Sequence, residues 1–430
     1  MARRLNLEDS GFDAAFDALL SMKREVSQDV ADVVSQIIAD VQARGDAALI
    51  DYTRKFDRLD LGQAGLAVTA DEIDAAMGKV DTETLDALRL AHDRIRSHHA
   101  RQMPKDDFYE DALGVGLGSR WTAIEAVGLY VPGGLASYPS SVLMNAVPAR
   151  VAGVERIVMA VPCPDGELNP LVLVAAKLAG VSEIYRIGGA QAVAALAYGT
   201  ESIAPVAKIV GPGNAYVAAA KKQVFGTVGI DMIAGPSEVL VLADENNNAD
   251  WIAADLLAQA EHDAAAQSIL ITDSAGFADA VEAAVESQLK TLSRADIAGA
   301  SWRDYGAMII VPDFAPAMPL VNRLAPEHLE LAVDDPDALL PLVRNAGAIF
   351  IGRHTPEVIG DYIGGSNHVL PTARSARFSS GLSVLDYVKR SSVLRLDADQ
   401  LAKLGPAAVA LAKAEGLDAH ARSVAIRMNR

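Results

Sequence analysis

The run Leu256-Leu257-Ala258-Gln259-Ala260-Glu261-His262 places an amide and an imidazole three residues apart. Asp250 is the expected N-cap of a helix ending here, and residues three or four apart on a helix share a face. Gln259 and His262 therefore point the same way, with Asp255 one turn earlier. An imidazole beside an amide oxygen is half of a metal site, to be completed from elsewhere in the chain. Taken locally, a solvated histidine at the negative pole of a helix explains the pair better.

Further donors lie far away in sequence. Asp361 follows Gly360, and His420 falls in the first turn of the final helix, whose positive end disfavours imidazolium and keeps a lone pair free. Gln259, His262, Asp361 and His420 together make a mixed N/O set compatible with zinc. Spacing does not show that they converge, and His354 and His368 are equally eligible by residue type. Pro326-Glu327-His328 sets a carboxylate beside an imidazole, each a proton acceptor if both face one cleft. An ordinary element boundary accounts for that pair more simply. Gly235-Pro236-Ser237 is a turn that brings a hydroxyl just ahead of a strand, and a structural role is its default.

No Gly-x-Gly-x-x-Gly dinucleotide fingerprint is present, and Gly114-Val115-Gly116-Leu117-Gly118 has the wrong spacing and reads as a hairpin. Gly188-Gly189-Ala190-Gln191 and Gly211-Pro212-Gly213-Asn214 do have the right context. Each follows a strand and opens a helix, where free N–H groups and the dipole suit an anion such as a pyrophosphate. Such loops also occur with nothing bound.

These residues need a scaffold, and the chain spells one out. Short apolar runs at 126–130, 156–161, 183–187 and 208–210, then at 238–243, 268–272, 307–311, 328–333 and 348–351, alternate with Gly or Pro loops and alanine-rich helices. That is the pattern of βα units on mostly parallel sheets. The expected fold is α/β, with two tandem incomplete Rossmann-like domains and small N- and C-terminal helical extensions. Residues 1–25 are expected as the N-terminal extension, 26–125 with 238–381 as a discontinuous first domain, 126–237 as the second domain, and 382–430 as a tail. Ser27 is the expected N-cap of a helix whose apolar stripe is Val30, Val33, Val34, Ile37, Ile38 and Val41. His92, His98 and His99 lie on a charged helix and read as a solvated face. No internal repeat is evident by eye.

The balance of 56 acidic against 38 basic residues, a formal charge of -18, argues against nucleic acid or anionic membrane as general partners. Cys163 is the single cysteine, so an internal disulfide is impossible and a reducing cytoplasm is expected, with a buried thiol its simplest role. The N-terminus has two arginines without an apolar core behind them, unlike a secretory signal. The long uncharged stretch 126–149 is broken by Pro132, Pro139 and Pro148 and makes a poor membrane span.

The chain resembles the histidinol dehydrogenase family over almost its whole length. The resemblance runs through Gly128-Leu129-Tyr130-Val131-Pro132-Gly133-Gly134, both glycine loops, Gly235-Pro236-Ser237-Glu238, Gln259-Ala260-Glu261-His262, Ala325-Pro326-Glu327-His328, Asn367-His368-Val369-Leu370-Pro371-Thr372 and Glu415 to His420. It implies two-step oxidation of L-histidinol through the aldehyde to L-histidine, with two NAD per turnover and one zinc ion per subunit. It places the zinc ligands on Gln259, His262, Asp361 and His420, and NAD contacts on Tyr130, Gln191 and Asn214 of the 126–237 domain. Substrate contacts fall on Ser237, His328 and Glu415 with the metal shell, and the catalytic pair is Glu327 and His328. It further implies a homodimer with interlocking tails, Glu415 and His420 reaching the neighbouring subunit's site. A dehydrogenase of another small polar alcohol, a zinc hydrolase and a non-catalytic α/β binding protein are the competing readings.

Overall fold

A computed structural model describes residues 2–22, 28–133, 138–233 and 235–429. Two parallel sheets organise the chain, and their strands are buried apolar runs such as Glu-Val-Leu-Val-Leu-Ala at Glu238–Ala243, as expected where helices cover both faces. The five-stranded sheet has the order Glu183–Tyr185, Arg156–Ala160, Ala126–Tyr130, Lys208–Val210, Gly229–Ile230. The six-stranded sheet has the order Arg3–Asn6, Ala307–Ile310, Gln267–Thr272, Glu238–Ala243, His328–Ala332, Ala348–Ile351.

Counted along the chain within each series, both sheets read 3-2-1-4-5, with Arg3–Asn6 added outside the third strand of the larger one. The chain therefore repeats one half-Rossmann topology twice. No repeat is evident in the sequence because buried strands share only apolar character, which carries no register of its own.

The α/β class and tandem Rossmann-like character are as expected, but the grouping of segments is different. Of the segment 1–25, the described residues 2–22 do not form a separate extension. Arg3–Asn6 pairs in parallel with Ala307–Ile310, and the helix Phe12–Leu20 buries Phe12, Phe16 and Leu19 among Leu240, Ile269 and Ile309 of the six-stranded body. Nor do residues 26–125 share a domain with 238–381. The helix Gln28–Arg44 packs Val34, Ile37 and Val41 against Val193 and Leu196 of helix Gly189–Tyr198, and helix Thr82–Ala100 packs Leu88 and Ile95 into the core around helix Pro139–Val151. An apolar stripe needs a complementary surface, but it does not specify which sheet supplies it. The expected cap Ser27 and the motif residue Gly134 lie outside the described residues.

The expected hairpin at Gly114 to Gly118 is present: Asp107–Glu110 pairs antiparallel with Gly116–Ala123. The far edge of that strand takes Val388–Arg395, so the tail begins as a third strand of this small sheet. Tyr387, just ahead, is fully buried and donates its hydroxyl to the Asn145 carbonyl at 2.8 Å. Helices Ala398–Ala414 and Asp418–Ala425 then pack on each other and leave Leu411, Leu417 and Ile426 exposed. Among the described residues no helix is long and apolar enough to cross a membrane.

Candidate active site

The site opens where the C-terminal edge of the five-stranded sheet meets the N-terminal edge of the six-stranded one. From the first come the loops after Ala126–Tyr130 and Lys208–Val210, at the point where strand order reverses and crevices form. From the second come Ser237, just before its central strand, and Glu327 and His328, at the start of the next strand. A cavity of about 530 Å³ joins the two, lined among others by Pro132, Gly211 to Ala215, Ser237, Gln259, His262, Glu327, His328, Asp361 and His368. The opposite, C-terminal edge of the six-stranded sheet carries Asp244, Glu245, Asp273, Asp313 and Asp334 around a separate hollow, which repels an anionic ligand.

Gln259 ends the helix Ala249–Ala260, and His262 follows in the next turn, its N–H donating to the Gln259 carbonyl at 3.2 Å. The helix is capped by Asn248, whose side chain accepts from the Asp250 N–H, rather than by Asp250 itself. Asp250 is the second helical residue, two positions past the cap. Gln259 is buried with its Nε2 unpartnered, an unusual state for a buried amide. Burial lowers the His262 pKa over the opposing pull of Asp361, so its imidazole stays neutral. Asp361 is pushed up by burial, but His328, His368 and His262 hold it below the usual carboxylate range.

His328 sits at the centre. Its Nδ1 is 3.0 Å from the Glu238 carbonyl, which only accepts, so the Nδ1 proton is fixed there and Nε2 is left as the reactive nitrogen. That Nε2 is buried, without a hydrogen-bond partner, and 3.6 Å from Asp361 Oδ1. Glu327 Oε2 accepts the Glu238 N–H at 2.9 Å and stands 3.8 Å from His328 Nδ1. The backbone N–H and carbonyl of one residue, Glu238, thus orient both residues of the expected catalytic pair. Burial pushes Glu327 up to about 7, a value suited to gaining and losing a proton near neutrality. Burial alone would discharge His328, but Glu327, Glu357 and Asp361 override it and raise its pKa well above normal.

Two contributors were not singled out for chemistry in the sequence. Glu357, the first residue of helix Glu357–Tyr362, lies with Oε2 3.5 Å from His328 Nδ1, and burial pushes it up to about 8. Behind it, the Glu357 N–H donates to Glu330 Oε1 at 2.7 Å, and Glu330 is hydrogen-bonded to Asp255. Nothing in the sequence marks Glu357, because its approach depends on the turn at Gly352 to Pro356. His368 was named only as an alternative donor. It lines the cavity, donates from Nδ1 to the Asp361 carbonyl at 3.0 Å and accepts from the Ser141 hydroxyl at 3.2 Å.

The Gly211-Pro212-Gly213-Asn214 loop is clamped from both sides. Gly211 N–H donates to Asp231 Oδ2 at 2.8 Å, and the Lys221 ammonium donates to the Gly211 carbonyl at 3.0 Å while pairing with Asp231. Gly211 has φ +110°, and a Cβ there would stand 2.1 Å from the Tyr130 carbonyl oxygen, so only glycine fits. Asn214, which lines the cavity, caps the helix Ala215–Val224 with its side-chain oxygen. Tyr130 and Gln191 are buried beside the cavity but outside its lining. The Tyr130 hydroxyl accepts the Gly189 N–H at 3.1 Å, tying the strand Ala126–Tyr130 to the Gly188-Gly189 loop.

Glu415 and His420 are both exposed on the tail and do not line the cavity. Among the described residues no group of three His, Cys, Asp or Glu side chains stands where a metal could be held. One chain brings Gln259, His262 and Asp361 to the cavity together and leaves His420 outside it.

The histidinol dehydrogenase family model matches residues 20–428. The chain is 74% identical over 429 residues to the histidinol dehydrogenase of Rhizobium meliloti (strain 1021), covering all of this chain and 99% of that one. It is 72% identical to that of Agrobacterium fabrum, with the same coverage. The crystal structure of histidinol dehydrogenase from Elizabethkingia anophelis superposes with a TM-score of 0.95 at 36% identity, over all of this chain and 98% of that one. With a full-length family match, relatives of such identity and a shared fold, the chain belongs to the histidinol dehydrogenase family.

Proposed function

We propose that the chain oxidises L-histidinol through L-histidinal to L-histidine in the cytoplasm, as a homodimer that uses NAD and one zinc ion per subunit. The observation that carries this reading is His328: its Nδ1 proton is fixed by the Glu238 carbonyl, its buried Nε2 takes no hydrogen bond among the described residues, and it lines one cavity with Gln259, His262, Asp361 and Asn214. The donor set fits the metal, because the neutral imidazole of His262 and the ionised carboxylate of Asp361 suit a divalent cation, and the amide oxygen of Gln259, which lines the same cavity, adds a neutral donor. His420 of the partner subunit would complete it. NAD held at the glycine loops would supply the hydride acceptor, and zinc held by Gln259, His262, Asp361 and the partner's His420 would supply a fixed positive charge for the substrate's nitrogens.

The chain's own residues do the proton chemistry. His328 Nε2 accepts the alcohol proton as the carbon–hydrogen bond breaks, which requires the imidazole to be neutral at that moment; Asp361 and Glu357 beside it offer the proton a way out. Glu327 then draws a proton from water that adds to the aldehyde, and its pKa of about 7 lets it return that proton readily. Ser237 and Glu415 of the partner subunit hold the substrate, and His368 keeps the Asp361 backbone in place. Cys163 is buried away from the cavity with its thiol pushed up to about 12, so no thiolate takes part.

Mixing the protein with NAD and L-histidinol tests the reading: absorbance at the reduced-nicotinamide band should rise with time. A zinc hydrolase would leave that absorbance flat. A dehydrogenase of another polar alcohol would respond to its own substrate and only weakly to histidinol.

A further inference from the structure

Behind the cavity lining stand three acidic side chains, each one structural repeat away from a residue of the site. Asp255 precedes Gln259 by four residues on helix Ala249–Ala260, and Glu357 precedes Asp361 by four on helix Glu357–Tyr362. Glu330 follows His328 by two on strand His328–Ala332. Steps of four on a helix and of two on a strand keep residues on one face, so the three acids repeat the convergence of Gln259, Asp361 and His328 one layer back. Glu330 is buried and tied to both helices: its Oε1 accepts the Glu357 N–H at 2.7 Å, and its carboxyl is hydrogen-bonded to Asp255. Neither Asp255 nor Glu330 lines the cavity.

Packing alone does not call for acids here. Val239, Val241, Ile252, Leu256 and Ala332 make the neighbouring core apolar, and a hydrophobic side chain at position 330 would fill the space without drawing a carboxyl out of water. Ionised carboxylates only accept hydrogen bonds, so two that are bonded to each other hold a proton between them and titrate as a pair. Burial accordingly raises Asp255 to about 6 and lifts Glu330 well above its ordinary range. Asp255, Glu330 and Glu357 act on one another, with Glu327, His328 and Asp361 beyond Glu357, and of these six only His328 can carry positive charge. The helix that bears Asp361 needs the tie most. It has six residues, too few to hold themselves, and its N-cap Pro356 offers no side-chain acceptor. Glu330 satisfies one of its otherwise unpaired N–H groups from the strand next door.

We infer that Asp255 and Glu330, joined through one shared proton, are positioning residues that tie the Gln259 helix, the His328 strand and the Asp361 helix together and so preset the metal ligands. The inference rests on the proposed metal at Gln259, His262 and Asp361. A tie of this kind is separable from packing and from charge by the choice of substitution. Glu330→Gln keeps an oxygen for the Glu357 N–H and offers an amide N–H to an ionised Asp255, so both bonds and the single negative charge of the pair survive without a proton. Glu330→Ala removes both bonds.

The test titrates the metal-free full chain and both variants with zinc against a chromophoric chelator, with urea unfolding of each as the control on folding. Glu330→Ala should bind zinc about 10–100-fold more weakly, the usual loss when a partner behind a metal ligand is removed, while Glu330→Gln stays within about threefold of wild type. A Glu330→Ala chain that is less stable but binds zinc like wild type would overturn the inference, since a merely structural residue behaves in that way. So would a Gln variant as weak as the Ala variant. Should Glu330→Ala fail to fold, Asp255→Ala decides: it leaves the Glu357 N–H its acceptor, a loss of about tenfold in zinc affinity is expected, and an unchanged affinity overturns the tie. A wild type that takes up no zinc would remove the metal from the proposed function and the inference with it, an outcome distinct from any difference among the variants.

Discussion

Replacing Glu327 by Gln separates the cost of a buried base from its use. The amide oxygen of Gln can still accept the Glu238 N–H that Glu327 Oε2 takes at 2.9 Å, so the local backbone need not move. The ability to take a proton from water is lost, and such a base contributes about 10²–10⁴-fold, or about 3–5 kcal/mol of barrier. Stability should move the other way. Burial raises Glu327 to about 7 in the folded state from its ordinary 4.5, so the folded chain holds a proton that the unfolded chain releases between those values. Folding is uncharged for this group below the lower value, loses stability as pH rises through the window, and carries the full cost above pH 7, about 3 kcal/mol. Glu327→Gln is relieved of that cost at pH 8, less whatever the His328 imidazolium loses with its partner. Urea melts at pH 5 and pH 8 should show the variant gaining on wild type as pH rises. Turnover with histidinal supplied directly should fall about 10²–10⁴-fold and lose the acidic limb that Glu327 gives the wild type near pH 7. A variant that oxidises histidinal within about tenfold of wild type would refute the assignment of the base. A variant that loses stability on going from pH 5 to pH 8 as steeply as wild type would refute the electrostatic reading.

The shared site makes a second prediction. His262→Ala and His420→Ala chains, each inactive alone, should regain activity when subunits are exchanged, since one of two sites in the mixed dimer is intact; proven exchange without recovery would leave His420 in its own subunit or out of the site. Cys163→Ser should keep its turnover, because the thiol is buried off the cavity and held protonated; loss of all activity in a folded variant would reinstate it as a participant. Lys221→Met should weaken folding by about 3–5 kcal/mol, because it strands Asp231 as a buried unpaired charge, and should loosen the Gly211 loop. A denaturant midpoint equal to that of wild type would mean that the pair is not buried as described.

Much of the site was legible before the fold. Gln259, His262, Glu327, His328, Asp361, Ser237 and Asn214 all meet one cavity, and both glycine loops sit at strand-to-helix turns. Each stands beside a local signal, a helix end, a turn or a strand start, and local signals survive in one dimension. The residues missed act at a distance. Glu357 reaches His328 only through the turn after Ala348–Ile351, and Glu238 fixes both Glu327 and His328 by its backbone N–H and carbonyl, which no residue type reveals. Segment grouping failed for a related reason. The stripe Val34, Ile37, Val41 shows that the helix has a buried face, but chain order suggested the wrong sheet to cover it. Arg3–Asn6 has no apolar alternation at all and is a strand only because the edge of Ala307–Ile310 is open to pairing.

The central claim is that one site carries out two successive oxidations on the same substrate. The most direct measurement is the amount of reduced NAD formed per histidinol consumed, followed to completion with NAD in excess. The expected value is about two, because Glu327 and His328 serve the hydrated aldehyde as well as the alcohol. A value near one, with histidinal accumulating, would contradict it and leave a simple alcohol dehydrogenase.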